Sequence, residues 1–370
     1  MKIPRRAILG FGITAVLIWW VFRDTDLPEV WAEIRGANFW LLGLAVAIAT
    51  GNYLLRSIRW EYLLHPIHPG TSFYSRTASM FIGFMATNLL PARAGELVRP
   101  YALSRMEPVP MSAAFGSLVV ERFLDALTIL SLIFVALAAP GFPDQALVNG
   151  VSLEVWIRGA FVFLGGVLLF MVLLLLFPGP LVRFVRRVVG VFPKRVSGFL
   201  VDVMEAFLNG LRVFKSPGLL IKAGFWSLLI WLVQSLVFWV GFRAFGIEVG
   251  FDVALFVNGI VALAVAAPAA PGFIGTFHAG VVAGLGVYAA PPAASLGLAF
   301  GLHLGGFIPV TVIGLFYAWK LGISLGDVSA GESGGEGLES EVTGEAVQEA
   351  PEVGDPVGQG SQVPSTAPER

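Results

Sequence analysis

NLLPARAGELVRPYALSR, residues 88–105, interrupts an apolar chain with four charges, Arg93, Glu96, Arg99 and Arg105, and sets Pro91 and Gly95 among them. Whether this stretch is a loop outside the membrane or backbone folded into it decides the fold. Around it, 56% of the 370 residues are hydrophobic and 13% are charged, at a mean hydropathy of +0.80. A soluble domain cannot hide that much apolar surface, so the class is an all-α polytopic membrane protein. Runs long enough to cross about 30 Å of hydrocarbon lie near 7–22, 38–60, 112–138, 154–177, 219–245 and 293–319. Two further apolar runs are broken, 75–105 by Pro91 and Gly95, and 251–290 by AAPAAPGFIG at 266–275.

Charge sets the orientation. The segment 183–222 carries Arg183, Arg186, Arg187, Lys194, Arg195, Arg212, Lys215 and Lys222, which assigns it to the cytoplasm. The segment 139–153 has no Lys or Arg and contains Asp144, so it belongs outside. Arg56, Arg59 and Arg76 also belong inside, and 75–105 must then enter and leave on one face, as a re-entrant hairpin or a pair of full spans. The same parity applies to 251–290 from the opposite face. Both termini are expected in the cytoplasm of a cell-membrane protein. Residues 7–22 follow Lys2, Arg5 and Arg6 like a signal sequence, but Arg23-Asp24-Thr25-Asp26 comes next with no small-residue cleavage site, so this run is expected to stay as the first span. From Leu181 a basic and apolar pattern suggests helices on the inner membrane surface, with a solvated loop as the alternative. The tail 327–370 holds ten of the 25 acidic residues and is expected to be disordered, while residues 1–326 form the membrane domain at +8.

The two halves, 7–138 and 154–321, repeat one order: span, span, broken hairpin, span. Pro91 to Gly95 and Pro271 to Gly275 lie 180 positions apart. Each half crosses an odd number of times, so the second is inverted, with two opposed hairpins. Inverted repeats with Gly/Pro breaks at matching places point to a transporter-type site near the midplane. The hairpin breaks are Pro91 and Gly95 in one half, and Pro271, Gly272 and Gly275 in the other; Pro271-Gly272 as a simple kink is the alternative reading.

Broken backbone in a bilayer must be covered by protein or water. A helix restarting after Gly95 points free N–H groups at the break, an anion site. Arg93 and Arg99 add forked donors suited to phosphate. Asn88, Arg93, Glu96, Arg99 and Arg122 are therefore the candidate headgroup-binding residues. Glu121 and Asp125, one turn apart on 112–138, share a face, and with His278 they are the candidates for proton or ion coupling. The bland readings are an interfacial Glu121–Arg122 pair, a packed and hydrogen-bonded His278, and Arg56, Arg59 and Arg105 snorkelling to the inner interface.

The motifs at these positions resemble a known family. Asn88, Leu89-Leu90-Pro91, Arg93 and Gly95-Glu96-Leu97-Val98-Arg99, then ERFLD at 121–125, then Pro271-Gly272-Phe273-Ile274-Gly275 and Phe277, are similar to the flippase-like membrane family related to the transmembrane half of lysylphosphatidylglycerol synthase. The resemblance covers about residues 7–321. It implies a lipid-handling membrane domain, translocating a charged lipid or serving lipid-linked sugar pathways. The family's third motif often reads PGGxGxxE; here Phe273 replaces its second Gly and His278 stands at the Glu. No soluble synthase domain accompanies the motifs, so the chain is not expected to attach lysine itself.

The leading expectation is a lipid translocase with membrane lipids as partners, an anionic phospholipid or a polyprenyl phosphate, and with no cofactor or metal. The rival is a membrane glycosyltransferase using a lipid-linked sugar, with Asp24-Thr25-Asp26 outside the first span as its acidic pair. A structural or regulatory membrane protein is the third reading. The sequence has no cysteine, no GxxxxGK[ST] and no HExxH, which excludes disulfides, P-loop ATP hydrolysis and zincin chemistry. Its basic residues follow membrane topology rather than any nucleic-acid motif.

Overall fold

Capping and proline chemistry set where each helix begins. In a computed structural model of the chain, α1 (Leu27–Gly36) starts with Pro28 in its first turn, where the missing N–H is harmless. In α2 (Phe39–Leu64) the Asn38 side chain accepts from the Trp40 and Leu41 amides. Ser72 caps α3 (Phe73–Leu89) through the Tyr74 amide. That helix stops at Leu90, which is extended at φ −102° and ψ 147°, the conformation demanded of a residue before proline. The chain resumes as α4 (Gly95–Ser104) and α5 (Met111–Leu137). A two-residue antiparallel ribbon follows, β1 (Leu147–Val148) with β2 (Val151–Ser152). Then come α6 (Pro217–Ala244), α7 (Phe251–Ala266), a 3₁₀ turn at Pro271–Phe273, α8 (Thr276–Gly286) and α9 (Pro292–Lys320).

The structure describes residues 26–90, 95–143, 147–148, 151–152, 213, 216–266 and 270–323, with isolated positions at 16, 19 and between 155 and 169. All lie in one compact unit ending at Ile323. Pro91 and Arg93, nearly all of the spans 7–22 and 154–177, the expected surface helices after Leu181, Asp24 and Thr25, and the tail 327–370 fall outside the described residues.

Among the described residues three helices are long and apolar enough to cross a membrane: α2, α6 and α9. They match the expected spans at 38–60, 219–245 and 293–319 to within a few residues. The expected span at 112–138 is α5, equally long but carrying Glu121, Arg122 and Asp125. Each broken run is a pair of shorter helices, α3 with α4 and α7 with α8. At 1.5 Å per residue none of the four covers about 30 Å. The sequence expectations have no counterpart for α1 or the ribbon. Among the described residues, α1 buries only Val30 and packs against α9, with Trp31 exposed and the Arg35 guanidinium 5.0 Å from its ring.

Among the described residues an apolar core forms around each helix pair, and a smaller one, Leu132, Ala136, Leu255 and Phe256, joins α5 to α7. Trp60, Leu63, Met80, Leu103 and Leu118 join α2, α3, α4 and α5. Phe238, Phe242, Val257, Val281, Leu285 and Leu298 join α6, α7, α8 and α9. Lipid tails are as apolar as leucine, so close backbone approach replaces the hydrophobic drive between such helices. On α8, Gly280 and Gly284 sit against Val261 and Val257 of α7. Longer-range packing sets α6 along α2 and α9 along α3. The lipid-type face of α9 stays open, with Leu304, Ile308, Val312 and Trp319 exposed.

The second break turns on left-handed backbone, with Gly272 at φ 69° and Gly275 at φ 87°. Phe273, which stands where the related motif has glycine, also adopts a left-handed φ of 59°. A side-chain-bearing residue there costs roughly 1 kcal/mol or more over glycine. Phe273→Gly is therefore expected to be more stable than Phe273→Ala by about 1 kcal/mol, read as the difference in thermal midpoint in detergent. Both variants lose the same ring, so equal midpoints would mean that the turn carries no strain.

Candidate functional site

Two helices bring opposite charges to one level. Arg56 and Arg59 lie three residues apart on α2; Glu121 and Asp125 lie one turn apart on α5. Arg59 is fully buried, with Nη2 3.1 Å from Glu121 Oε1 and Nη1 2.5 Å from Asp125 Oδ1. The same Nη1 donates to Ser227 Oγ on α6 at 2.9 Å. From α4, Arg99 grips Glu121 with both prongs, Nη1 to Oε1 at 2.8 Å and Nη2 to Oε2 at 2.9 Å. Its guanidinium lies 3.9 Å from the centre of the Trp60 ring, whose Nε1 donates to Ser117 Oγ at 2.9 Å. Trp231 Nε1 of α6 donates to Asp125 Oδ1 at 2.9 Å. Buried charges persist only when paired and hydrogen-bonded, and this cluster ties α2, α4, α5 and α6 into one polar core.

Beside it lies a cavity of about 330 Å³, walled by α2 to α7 and by Phe273 of the 3₁₀ turn. Arg56, Thr87, Glu96, Arg99, Arg122 and Asp125 form its polar side. Phe84, Leu118, Ile129, Trp231, Ala262, Ala266 and Phe273 form its apolar side. Arg122 is half exposed, 3.8 Å from Glu121 and Asp125 and 4.0 Å from Glu96. A concave, mostly apolar chamber with a few convergent polar groups is the usual form of a small-ligand or headgroup site.

Of the residues singled out from sequence, Gly95, Glu96, Arg99, Arg122 and Asp125 line this cavity, and Glu121 is buried against it. Asn88 does not line it. Its Nδ2 donates to Thr311 Oγ1 of α9 at 3.0 Å, which anchors the end of α3. His278 is buried on α8, 4.5 Å between ring centres from Phe300 and 4.8 Å from His303, and its Nε2 has no hydrogen-bond partner. The ring is thus packed among aromatic side chains. Gly272 offers its carbonyl to His303 Nε2 at 2.7 Å. A Cβ at Gly272 would lie 3.3 Å from the Asn88 carbonyl, so the ends of the two helix pairs meet.

Arg59 corrects a sequence expectation. It does not snorkel to an interface but sits at the centre of the ion cluster, because Glu121 and Asp125 arrive at its height and offset its desolvation. Arg56 likewise turns to the cavity, while Arg105 is exposed. Sequence reasoning missed Trp60, Ser227, Trp231 and His303. For the arginines a signal existed: two cations three residues apart in one span and two carboxylates four apart in another. For the tryptophans none did, since nothing local marks which of ten will meet a charge.

Comparison with known proteins places this architecture. Residues 7–314 match the family described as the lysylphosphatidylglycerol synthase TM region. Glycosyltransferase AglD of Haloferax volcanii is 28% identical over 301 residues, covering 75% of this chain but 48% of that protein. This chain thus spans about half the length of that relative. A UPF0104 membrane protein of Methanocaldococcus jannaschii is 23% identical over 270 residues, 70% of this chain and 79% of the relative. Another, from Methanothermobacter thermautotrophicus, is 21% identical over 325 residues, 83% of this chain and 89% of the relative. With the match running through both broken helix pairs and the charged helix between them, this multi-pass membrane protein belongs to the lysylphosphatidylglycerol synthase TM-region family.

Proposed function

We propose that the chain is a lipid translocase that receives an anionic headgroup, of a phospholipid or a polyprenyl phosphate, in the cavity between the two helix pairs. The carrying observation is an arginine-rich chamber of about 330 Å³ bounded by broken helices. It is large enough for a headgroup, while the acyl or prenyl tails stay in lipid. In this reading 75–105 and 251–290 are re-entrant hairpins of an inverted repeat; their short helices and their meeting at Asn88 and Gly272 support it. Arg122, with Arg93 two residues before Gly95, contacts the headgroup. Arg99, its fork taken by Glu121, contributes charge and position. Asn88 fixes the end of α3 rather than touching lipid. Glu121 and Asp125 are paired with arginine and act as fixed anions, which leaves His278, with its unpartnered nitrogen, for any proton coupling. The protein sits in the cell membrane with both termini in the cytoplasm.

Fluorescent phosphatidylglycerol in vesicles carrying the purified chain tests this. Leaflet exchange is expected, and Arg93→Gln with Arg122→Gln should slow it by roughly tenfold or more, the loss of charged hydrogen bonds. Undiminished exchange in that double variant would remove the site, and no exchange by the unaltered chain would remove the activity. A second reading, an enzyme using lipid-linked sugar, draws on the name of the Haloferax relative. It predicts loss of activity in cells when Asp24 and Asp26 are both replaced by Asn.

A further inference from the structure

Arg56 is the cation that the ion cluster leaves over. Arg59 and Arg99 are closed by Glu121 and Asp125, and Arg122 stands near Glu96, Glu121 and Asp125. Arg56 lines the same cavity, yet among the described residues no carboxylate lies within ion-pair distance of its guanidinium. What surrounds it is aromatic. Its Cζ lies 5.7 Å from the ring centre of Trp231, 5.8 Å from Phe84 and 6.0 Å from Tyr53. Ring faces attract a cation but offer no lone pairs to its five N–H donors. Around this chamber, among the described residues, four arginines face three carboxylates: Glu96, Glu121 and Asp125. An arginine partly exposed on the wall of a cavity within a membrane domain, with no ion pair of its own, marks a place where an anion arrives.

We propose that Arg56 is the counter-ion of the bound headgroup: its guanidinium takes the charged phosphate oxygens from the inner side of the cavity, with Trp231 flanking it. This rests on the headgroup reading above and adds a selection rule. Among its described residues the chamber lacks one negative charge, so it favours a headgroup with net negative charge over a zwitterion. The apolar wall from α7 meets the non-phosphate part of the lipid, so a lipid phosphate is preferred to free phosphate.

The test uses the purified full-length chain in detergent and isothermal titration with three probes: dihexanoyl phosphatidylglycerol, dihexanoyl phosphatidylcholine and inorganic phosphate. The unaltered chain should bind the first at least about tenfold more tightly than either other, the worth of one charged hydrogen bond. Arg56→Gln should weaken phosphatidylglycerol binding by about tenfold or more. Its thermal midpoint without ligand should fall far less than that of Glu121→Gln, because ring contacts are lost but no ion pair is. Arg56→Lys should retain part of the affinity, and Arg105→Gln, at an exposed position, should retain all of it. Full binding by Arg56→Gln overturns the assignment alone. So does a drop in its ligand-free midpoint as large as that of Glu121→Gln, which would make Arg56 a structural residue. Equal binding of phosphatidylcholine overturns the charge selection, and equal binding of inorganic phosphate reassigns the site to the free anion. A chain that binds none of the three overturns the headgroup reading and this assignment with it.

Discussion

Glu121→Gln is expected to destabilise the protein by about 3–5 kcal/mol, the usual result of breaking a buried ion pair by removing one partner. Glu121 is fully buried and holds Arg59 at 3.1 Å and both prongs of Arg99 at 2.8 and 2.9 Å. The amide is the same size, so no cavity forms; what is lost is the charge that lets two arginines stay in an apolar interior. One amide oxygen can still accept, but the amide nitrogen presents a donor to a guanidinium that is itself all donors. The measurement is the thermal midpoint in detergent, followed by intrinsic tryptophan fluorescence. A double-mutant cycle with Arg99→Gln should show coupling above roughly 1 kcal/mol, since removing both charges leaves Arg59 still paired with Asp125. If Glu121→Gln stays within about 1 kcal/mol of the unaltered protein, the cluster is not what holds α2, α4 and α5 together.

Gly95→Ala should be nearly as damaging, by about 3 kcal/mol, at the upper end of what overpacking costs. A Cβ there would lie 2.0 Å from both the Gly83 carbonyl and Thr87 Oγ1, and 2.6 Å from the Thr87 amide nitrogen. Two of these atoms are backbone, so α3 and α4 have to separate. Separation carries Arg99 away from Glu121, because Gly83 is also where the start of the Arg99 side chain nests: a Cβ on Gly83 would sit 2.5 Å from that of Arg99. The control is Gly43→Ala on α2, where nothing lies within 4 Å and the exchange should be neutral or stabilising by a few tenths to about 1 kcal/mol. Midpoints that fail to separate these two variants would contradict the close approach of α3 and α4.

The membrane class and the main spans are readable in the sequence. An apolar run of some twenty residues has few places to go other than a bilayer, and hydropathy alone located α2, α6 and α9. The breaks were readable too, for a backbone reason: Pro91 forbids Leu90 a helical conformation, and Gly272 and Gly275 permit left-handed turns. Even the departure at Phe273 was visible as a letter, though its strained φ was not.

Pairing was another matter. Hydropathy and charge count marked Arg93 and Arg99 at the break as headgroup candidates and left Arg59 to snorkel to the inner interface. Its partners lie on α5, more than sixty residues along the chain, and Trp231 reaches Asp125 from 106 residues away. Local sequence sets the faces of a helix every 3.6 residues, but not how high one helix stands against the next or which face it turns. Those are decided by close approach at glycines such as Gly83 and Gly95 and by the requirement that each buried charge meet its opposite. The chain thus announces on its own that it is a membrane protein with charged, broken helices. Only packing in three dimensions separates the arginines closed into ion pairs from Arg56, left facing the cavity.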